Sequence, residues 1–215
     1  MTFRILDLEA IEKAALHESP YPFLAIENVL KREVLPQVVE SFPELPGRGS
    51  FPLNTVACSG DFSQLMEELQ RPELRAIIGK RFGMDLGESP PMITVRGHTT
   101  ERDGHIHTDS KDKLITFLLY LNPNWTSPEG RLRVLYNSKE LSPFAAEVSP
   151  EAGRCLIFKV TRDCWHGHTV FNGERKSIQL NYVVSDGARN KHLNRHRWSA
   201  FLKRLLGKNE AHSPR

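Results

Sequence analysis

Apolar and polar positions along this chain change their period before the middle. In the first part, a short apolar run, Phe23-Leu24-Ala25-Ile26, predicts a strand. Val29, Leu30, Val34, Leu35, Val38, Val39 and Phe42 then recur at helical spacing, and Pro43 and Pro46-Gly47 end the helix they predict. Two further short helices are predicted across Phe62–Leu69 and Pro72–Phe82, with Pro72 suited to a first turn and Gly83 to an end. Beyond Pro90-Pro91 short strands take over. They are predicted at Met92–Arg96, Leu114–Leu121, Leu132–Tyr136, Arg154–Phe158, His168–Phe171 and Ser177–Val184. Asp103-Gly104, Asn122-Pro123, Pro128-Glu129-Gly130, Glu151-Ala152-Gly153 and Asn172-Gly173 supply the turns between them. Leu114–Leu121 is almost continuously apolar, which predicts burial on both faces. So many short strands predict a sandwich or barrel. A closing helix is predicted over Arg195–Leu206.

Composition bounds this picture without redrawing it. The 215 residues predict one domain: a helical support region over 1–90, a strand core over 91–186 and a basic tail over 187–215. With 39% apolar and 26% charged residues the chain reads as soluble and globular. No apolar run approaches the roughly 18 residues of a membrane helix, and Met1–Asp7 does not read as a secretory signal. Cys58, Cys155 and Cys164 are scattered and form no Cys-x-x-Cys pair, which fits a reducing cytoplasm. From Arg189 to Lys208 there are seven Lys or Arg and no acid. In that stretch Trp198, Phe201, Leu202, Leu205 and Leu206 share one helical face, a pattern for a helix packed on the core or for a membrane-surface or acidic-partner contact. No nucleic-acid partner is expected, and nothing in the sequence speaks to oligomeric state.

The chemistry gathers in the strand region. His107 and Asp109, two apart, leave the same face of an extended segment. A third ligand from a distant strand, His166, completes a 2-His-1-carboxylate set, the arrangement that holds Fe(II) on one side and leaves positions open on the other. His168 competes with His166 for that role. Arg175 follows across a predicted hairpin, where a guanidinium can grip a carboxylate in a bidentate pair. Arg96, His98, Arg131 and Arg133 would form a basic mouth if they faced inward, which predicts an anionic substrate.

These residues carry a family resemblance. The order His107-x-Asp109, Tyr120-Leu121-Asn122, Gly130-Arg131-Leu132-Arg133-Val134, Pro150-Glu151-Ala152-Gly153-Arg154, Trp165-His166 and Arg175-x-Ser177 resembles the Fe(II)- and 2-oxoglutarate-dependent dioxygenases, within them the prolyl 4-hydroxylase-like branch. The resemblance implies a mainly β fold with flanking α: a double-stranded β-helix (jelly roll) core with helices packed on one sheet. It implies iron on His107, Asp109 and His166, and favours His166 over His168 because the step to Arg175 is then of the family's kind. It implies Arg175 on the distal carboxylate of 2-oxoglutarate, helped by Tyr120 and Ser177, with Thr116 and Leu118 lining the same pocket. The implied activity is hydroxylation of a prolyl or other side chain, or of a small molecule, coupled to decarboxylation of 2-oxoglutarate to succinate and CO2, with ascorbate as a candidate reductant. The competing readings are a cupin-type metal protein that does not use 2-oxoglutarate and a non-catalytic binding module.

Overall fold

Residues 2–194 are described in the computed structural model. The chain runs α1 (Leu8–Lys13), β1 (Phe23–Ile26), α2 (Leu35–Glu40), β2 (Ser50–Pro52), a 3-10 turn (Leu53–Thr55), α3 (Gly60–Leu69) and α4 (Pro72–Phe82). The strands β3 (Pro91–Thr99), β4 (Lys113–Tyr120), β5 (Leu132–Leu135), β6 (Phe144–Val148), β7 (Cys155–Lys159), β8 (His166–His168) and β9 (Gly173–Val183) follow. They form a six-stranded sheet, β1-β7-β4-β9-β3-β2, and a three-stranded sheet, β6-β5-β8. Every pairing within the two sheets is antiparallel.

Strand alternation explains how two cores arise from one sheet. On β4, Ile115, Phe117 and Leu119 point to one side, where Ile157, Ile178 and Leu180 join them beneath Phe62, Leu65, Leu74 and Ile78 of the helices. The alternate residues Leu118 and Tyr120 face the small sheet, where Tyr21, Phe23, Leu132, Val134, Leu156 and Phe158 close a second core. Both faces of β4 are therefore buried, as its continuous apolar run predicts. Mainly β architecture with helices on one sheet, expected from the resemblance, is what the chain adopts.

Other expectations were redrawn by tertiary contacts. The helix predicted over Val29–Phe42 shrinks to Leu35–Glu40. Val29 N–H bonds Gly153 O at 2.9 Å, Lys31 N–H bonds Ile5 O at 2.9 Å and Leu30 bridges Leu6, so this backbone is engaged elsewhere until Pro36 starts the helix. The strand predicted at His168–Phe171 lies earlier, at His166–His168. Elements α1, β2 and β6 had no predicted counterpart. Strands β1 and β2 form the two edges of the large sheet, so residues 1–90 contribute strands as well as helices. Glu68 on α3, fully buried, accepts backbone N–H bonds from Arg4, Ile5 and Leu6 at 2.6, 3.1 and 2.8 Å and fastens the N-terminal segment. Residues 186–194 are helical; the helix predicted over Arg195–Leu206 and its membrane-surface or acidic-partner contact lie outside the described residues. Among the described residues no helix is long and apolar enough to cross a membrane.

Candidate metal and cosubstrate site

His107 reaches His166 through the backbone. The two residues exchange N–H···O bonds, both 3.0 Å, as an isolated antiparallel bridge between the β3–β4 loop and β8. Directly opposed residues carry their side chains to the same face, and the two imidazole centroids lie 4.3 Å apart. His107 therefore sits in a loop pinned to a strand, in the extended segment between two predicted strands. Two glycines permit the approach: Gly104 has φ +91, and a Cβ there would lie 2.6 Å from the His168 ring and 2.7 Å from His168 O, while a Cβ on Gly167 would lie 2.9 Å from Gly104 O. Asp109, two residues beyond His107, completes the set. One ligand atom from each of His107, Asp109 and His166 lies within 4.8 Å of the others, and His168 is not among them.

Hydrogen bonding prepares these donors. His107 Nδ1 lies 2.8 Å from His105 O and His166 Nδ1 lies 2.8 Å from Cys164 O. A carbonyl can only accept, so each Nδ1 carries a proton and Nε2 is the ring atom left to meet a metal. Burial drives the His166 pKa down to about 4, past the opposing pull of Asp109, so its ring is neutral at pH 7. Burial pushes the Asp109 carboxyl up, but Lys113, His166 and hydrogen bonds from Lys113 and Thr116 hold it below its ordinary value. Asp109 Oδ1 takes the Lys113 ammonium at 2.7 Å and Oδ2 accepts the Thr116 hydroxyl. Thr116 in turn accepts from Asn181 Nδ2 at 2.7 Å, and Asn181 Oδ1 accepts from Gln179 Nε2 at 3.2 Å. Two imidazoles with Nδ1 engaged and a carboxylate, within reach of one ion, fit a divalent metal of the Fe(II) class.

The same cavity, about 400 Å³, holds Arg175, Tyr120, Ser177 and Leu118 beside the three ligands. Thr116 is fully buried behind Asp109 and is not on the cavity wall. Arg175 is itself buried; its Nε donates to Gly130 O at 2.9 Å and its Nη2 to the Tyr120 hydroxyl at 3.2 Å. Among the described residues it has no carboxylate partner, and Nη1 makes no hydrogen bond, so a cationic fork faces the cavity with donors to spare. His168, on the same face of β8 as His166, also lines the cavity; burial first and Arg175 second lower its pKa to about 4.

The basic mouth expected from the sequence is built differently. Arg131 and Arg133 pair with Glu147, at 3.5 and 2.7 Å, and do not line the cavity. His98 is exposed outside it. Arg96 lines it but is paired with Asp103 at 2.7 Å. Lys113, Gln179, Asn181 and Arg102 line the cavity and were missed. Gln179 and Asn181 were recoverable by counting in twos from Arg175 and Ser177 along one strand.

Comparison with known proteins agrees with this geometry. Residues 94–183 match the family model described as the 2OG-Fe(II) oxygenase superfamily. No curated protein matches the chain. A prolyl-4-hydroxylase from Pseudomonas putida is 16% identical, covers 82% of this chain and 96% of its own, and superposes with a TM-score of 0.54. A prolyl 4-hydroxylase structure from Phytophthora capsici is 13% identical over 85% of this chain and 67% of its own, with a TM-score of 0.52. The viral collagen prolyl hydroxylase from Paramecium Bursaria Chlorella virus-1, solved as a 2OG complex, is 12% identical over 76% and 95%, with a TM-score of 0.50. At these identities the likeness is one of fold. The matched segment contains His107, Asp109, Tyr120, His166 and Arg175, so residues 94–183 of this chain are similar to the 2OG-Fe(II) oxygenase superfamily.

Proposed function

We propose that His107, Asp109 and His166 hold Fe(II), that Arg175 and the Tyr120 hydroxyl hold the distal carboxylate of 2-oxoglutarate, and that the protein hydroxylates a substrate carbon. The observation that carries this is the meeting, in one cavity, of three convergent metal donors and a buried arginine with no carboxylate of its own. When bound, Fe(II) and 2-oxoglutarate reduce O2 together: one oxygen atom enters succinate as CO2 leaves, and the other enters a substrate C–H bond.

The residues of the chain orient and insulate that chemistry. The Nδ1 bonds to His105 O and Cys164 O turn each Nε2 toward the ion. Thr116 and Lys113 fix the rotation of the Asp109 carboxylate. Arg175 Nη1 and Nη2, with the Tyr120 hydroxyl, offer parallel donors to the far end of a dicarboxylate, and Ser177 and Leu118 bound its sides. The cavity is at the small end of the roughly 300–1,000 Å³ range of ligand sites, so it admits a single side chain or a small molecule beside the cosubstrate. A prolyl side chain, as in the named neighbours, fits that limit, as does another side chain or a free metabolite. Three free cysteines are in keeping with a reducing, cytoplasmic setting.

The test is O2-dependent succinate formation from 2-oxoglutarate by anaerobically iron-loaded protein. His107→Ala and Asp109→Ala should each abolish it. Arg175→Met should retain iron and lose 2-oxoglutarate affinity by about 30-fold or more, the scale of losing charge-assisted hydrogen bonds. Arg175→Met with unchanged 2-oxoglutarate affinity would move the reading to a cupin-type metal protein.

A further inference from the structure

The charge left over in the cavity once the proposed ligands are placed points to the chemistry of the substrate. Four cationic side chains, Arg96, Arg102, Lys113 and Arg175, line it against two carboxylates, Asp103 and Asp109. Four less two leaves two positive charges. Fe(II) would add two and the 2-oxoglutarate dianion remove two, so the loaded cavity keeps the same surplus. That surplus can be located. Arg175 is assigned to the cosubstrate, and Arg96 is neutralised by Asp103 at 2.7 Å. Arg102 and Lys113 remain.

Arg102, exposed on the β3–β4 loop, has neither an ion pair nor a side-chain hydrogen bond among the described residues, so its guanidinium is unengaged where it lines the cavity. Lys113 is mostly buried, with 12% of its side chain exposed, and its ammonium rests on Asp109 at 2.7 Å. It has three donors and one protein acceptor. A divalent ion on the same carboxylate sets two cations against one anion in a site of reduced dielectric, an arrangement that a further anion stabilises.

We propose that the substrate carries anionic chemistry, a carboxylate or a phosphate, drawn to the two cavity cations that no carboxylate fully cancels, Arg102 on the exposed loop and Lys113 beside Asp109. The proposal rests on the dioxygenase reading, which places the metal and the cosubstrate. Of the mouth expected from Arg96, His98, Arg131 and Arg133, only Arg96 lines the cavity, and it is paired with Asp103.

Mn(II), which does not turn over, can stand in for iron, kept substoichiometric to the full chain and saturated with 2-oxoglutarate. The probes are inorganic phosphate, followed by 31P relaxation, and the isosteric pair acetate and acetamide, followed by 1H relaxation. Manganese and 2-oxoglutarate binding are measured separately on each protein. The expected result is saturable paramagnetic relaxation of phosphate and acetate but not of acetamide. The apparent affinity should weaken by about tenfold in Arg102→Gln and in Lys113→Gln, one charge-assisted contact each. Lys111→Gln, an exposed charge outside the cavity, should leave it unchanged. Arg102 does not touch Asp109, so that variant reads out even if Lys113→Gln disturbs the metal. Tight binding of manganese and 2-oxoglutarate with equal relaxation of acetate and acetamide, or with phosphate indifferent to both variants, overturns the proposal alone. A weakened 2-oxoglutarate affinity in Lys113→Gln with unchanged phosphate relaxation does the same, by returning Lys113 to the cosubstrate. Failure of manganese or 2-oxoglutarate to bind the wild type overturns the dioxygenase reading, and this inference with it.

Discussion

Replacing Gly104 by Ala puts the approach of His107 to His166 under direct strain without touching either residue. The added Cβ would lie 2.6 Å from Cε1 and Nδ1 of His168 and 2.7 Å from its carbonyl oxygen, on a backbone with φ +91. Backbone strain of that kind costs about 1–3 kcal/mol, and overpacking adds about 1–3 kcal/mol. The bound geometry therefore loses about 2–6 kcal/mol, at least about 30-fold in metal affinity. The loop can move away from β8 without unfolding the sheets, so the apo protein should escape most of this cost, with a melting shift under about 4 °C. Gly83→Ala is the control: φ there is +61, but nothing lies within 4 Å of the new Cβ and the residue caps α4 away from the site. It should lower stability and leave metal affinity alone. Titration with Mn(II) followed by electron paramagnetic resonance, beside thermal melts by circular dichroism, separates the two. Wild-type metal affinity in Gly104→Ala would refute the claim that packing of this loop on β8 positions His107.

Thr116→Val should raise the metal dissociation constant by about 10–100-fold, because it strips a donor from Asp109 and an acceptor from Asn181; Thr116→Ser should restore it, and a Ser variant as weak as Val would argue for a packing role only. His166 and His168 both have folded pKa values of about 4 against about 6.5 unfolded. Between pH 5 and 6 the unfolded chain thus binds about two more protons, so apo stability should rise with pH by about 2.5 kcal/mol per unit, and it is lost as pH falls from about 6.5 toward 4. His168→Gln should halve that slope in urea titrations of the metal-free protein; an unchanged slope would show that His168 is protonated in the fold.

How much of this was readable in the sequence depended on whether a feature is local. The helices α3 and α4 and the long strands follow from periodicity and end signals that the residues carry themselves. The stretch from Val29 to Val34 has helical spacing too, yet its N–H groups bond Gly153 and Ile5, partners that no local pattern announces. The six-residue α1 and the three-residue β2 are too short for a period to emerge. At the site, His107, Asp109, His166 and Arg175 stood out as residue types in a known order, while Lys113 and Arg102 belong to no motif and carry no local signal. Arg131 and Arg133 misled for the complementary reason: their partner Glu147 sits on β6, a strand with half-exposed residues that was not predicted.

The most direct measurement of the central claim is an anaerobic titration of the full chain with Fe(II) and then 2-oxoglutarate, watched for the weak visible charge-transfer band of a keto acid chelated to iron. The account predicts a band that appears only when both are present, saturates at one of each per chain, and is absent in Asp109→Ala. Full binding of Fe(II) with no band at any 2-oxoglutarate concentration would contradict it.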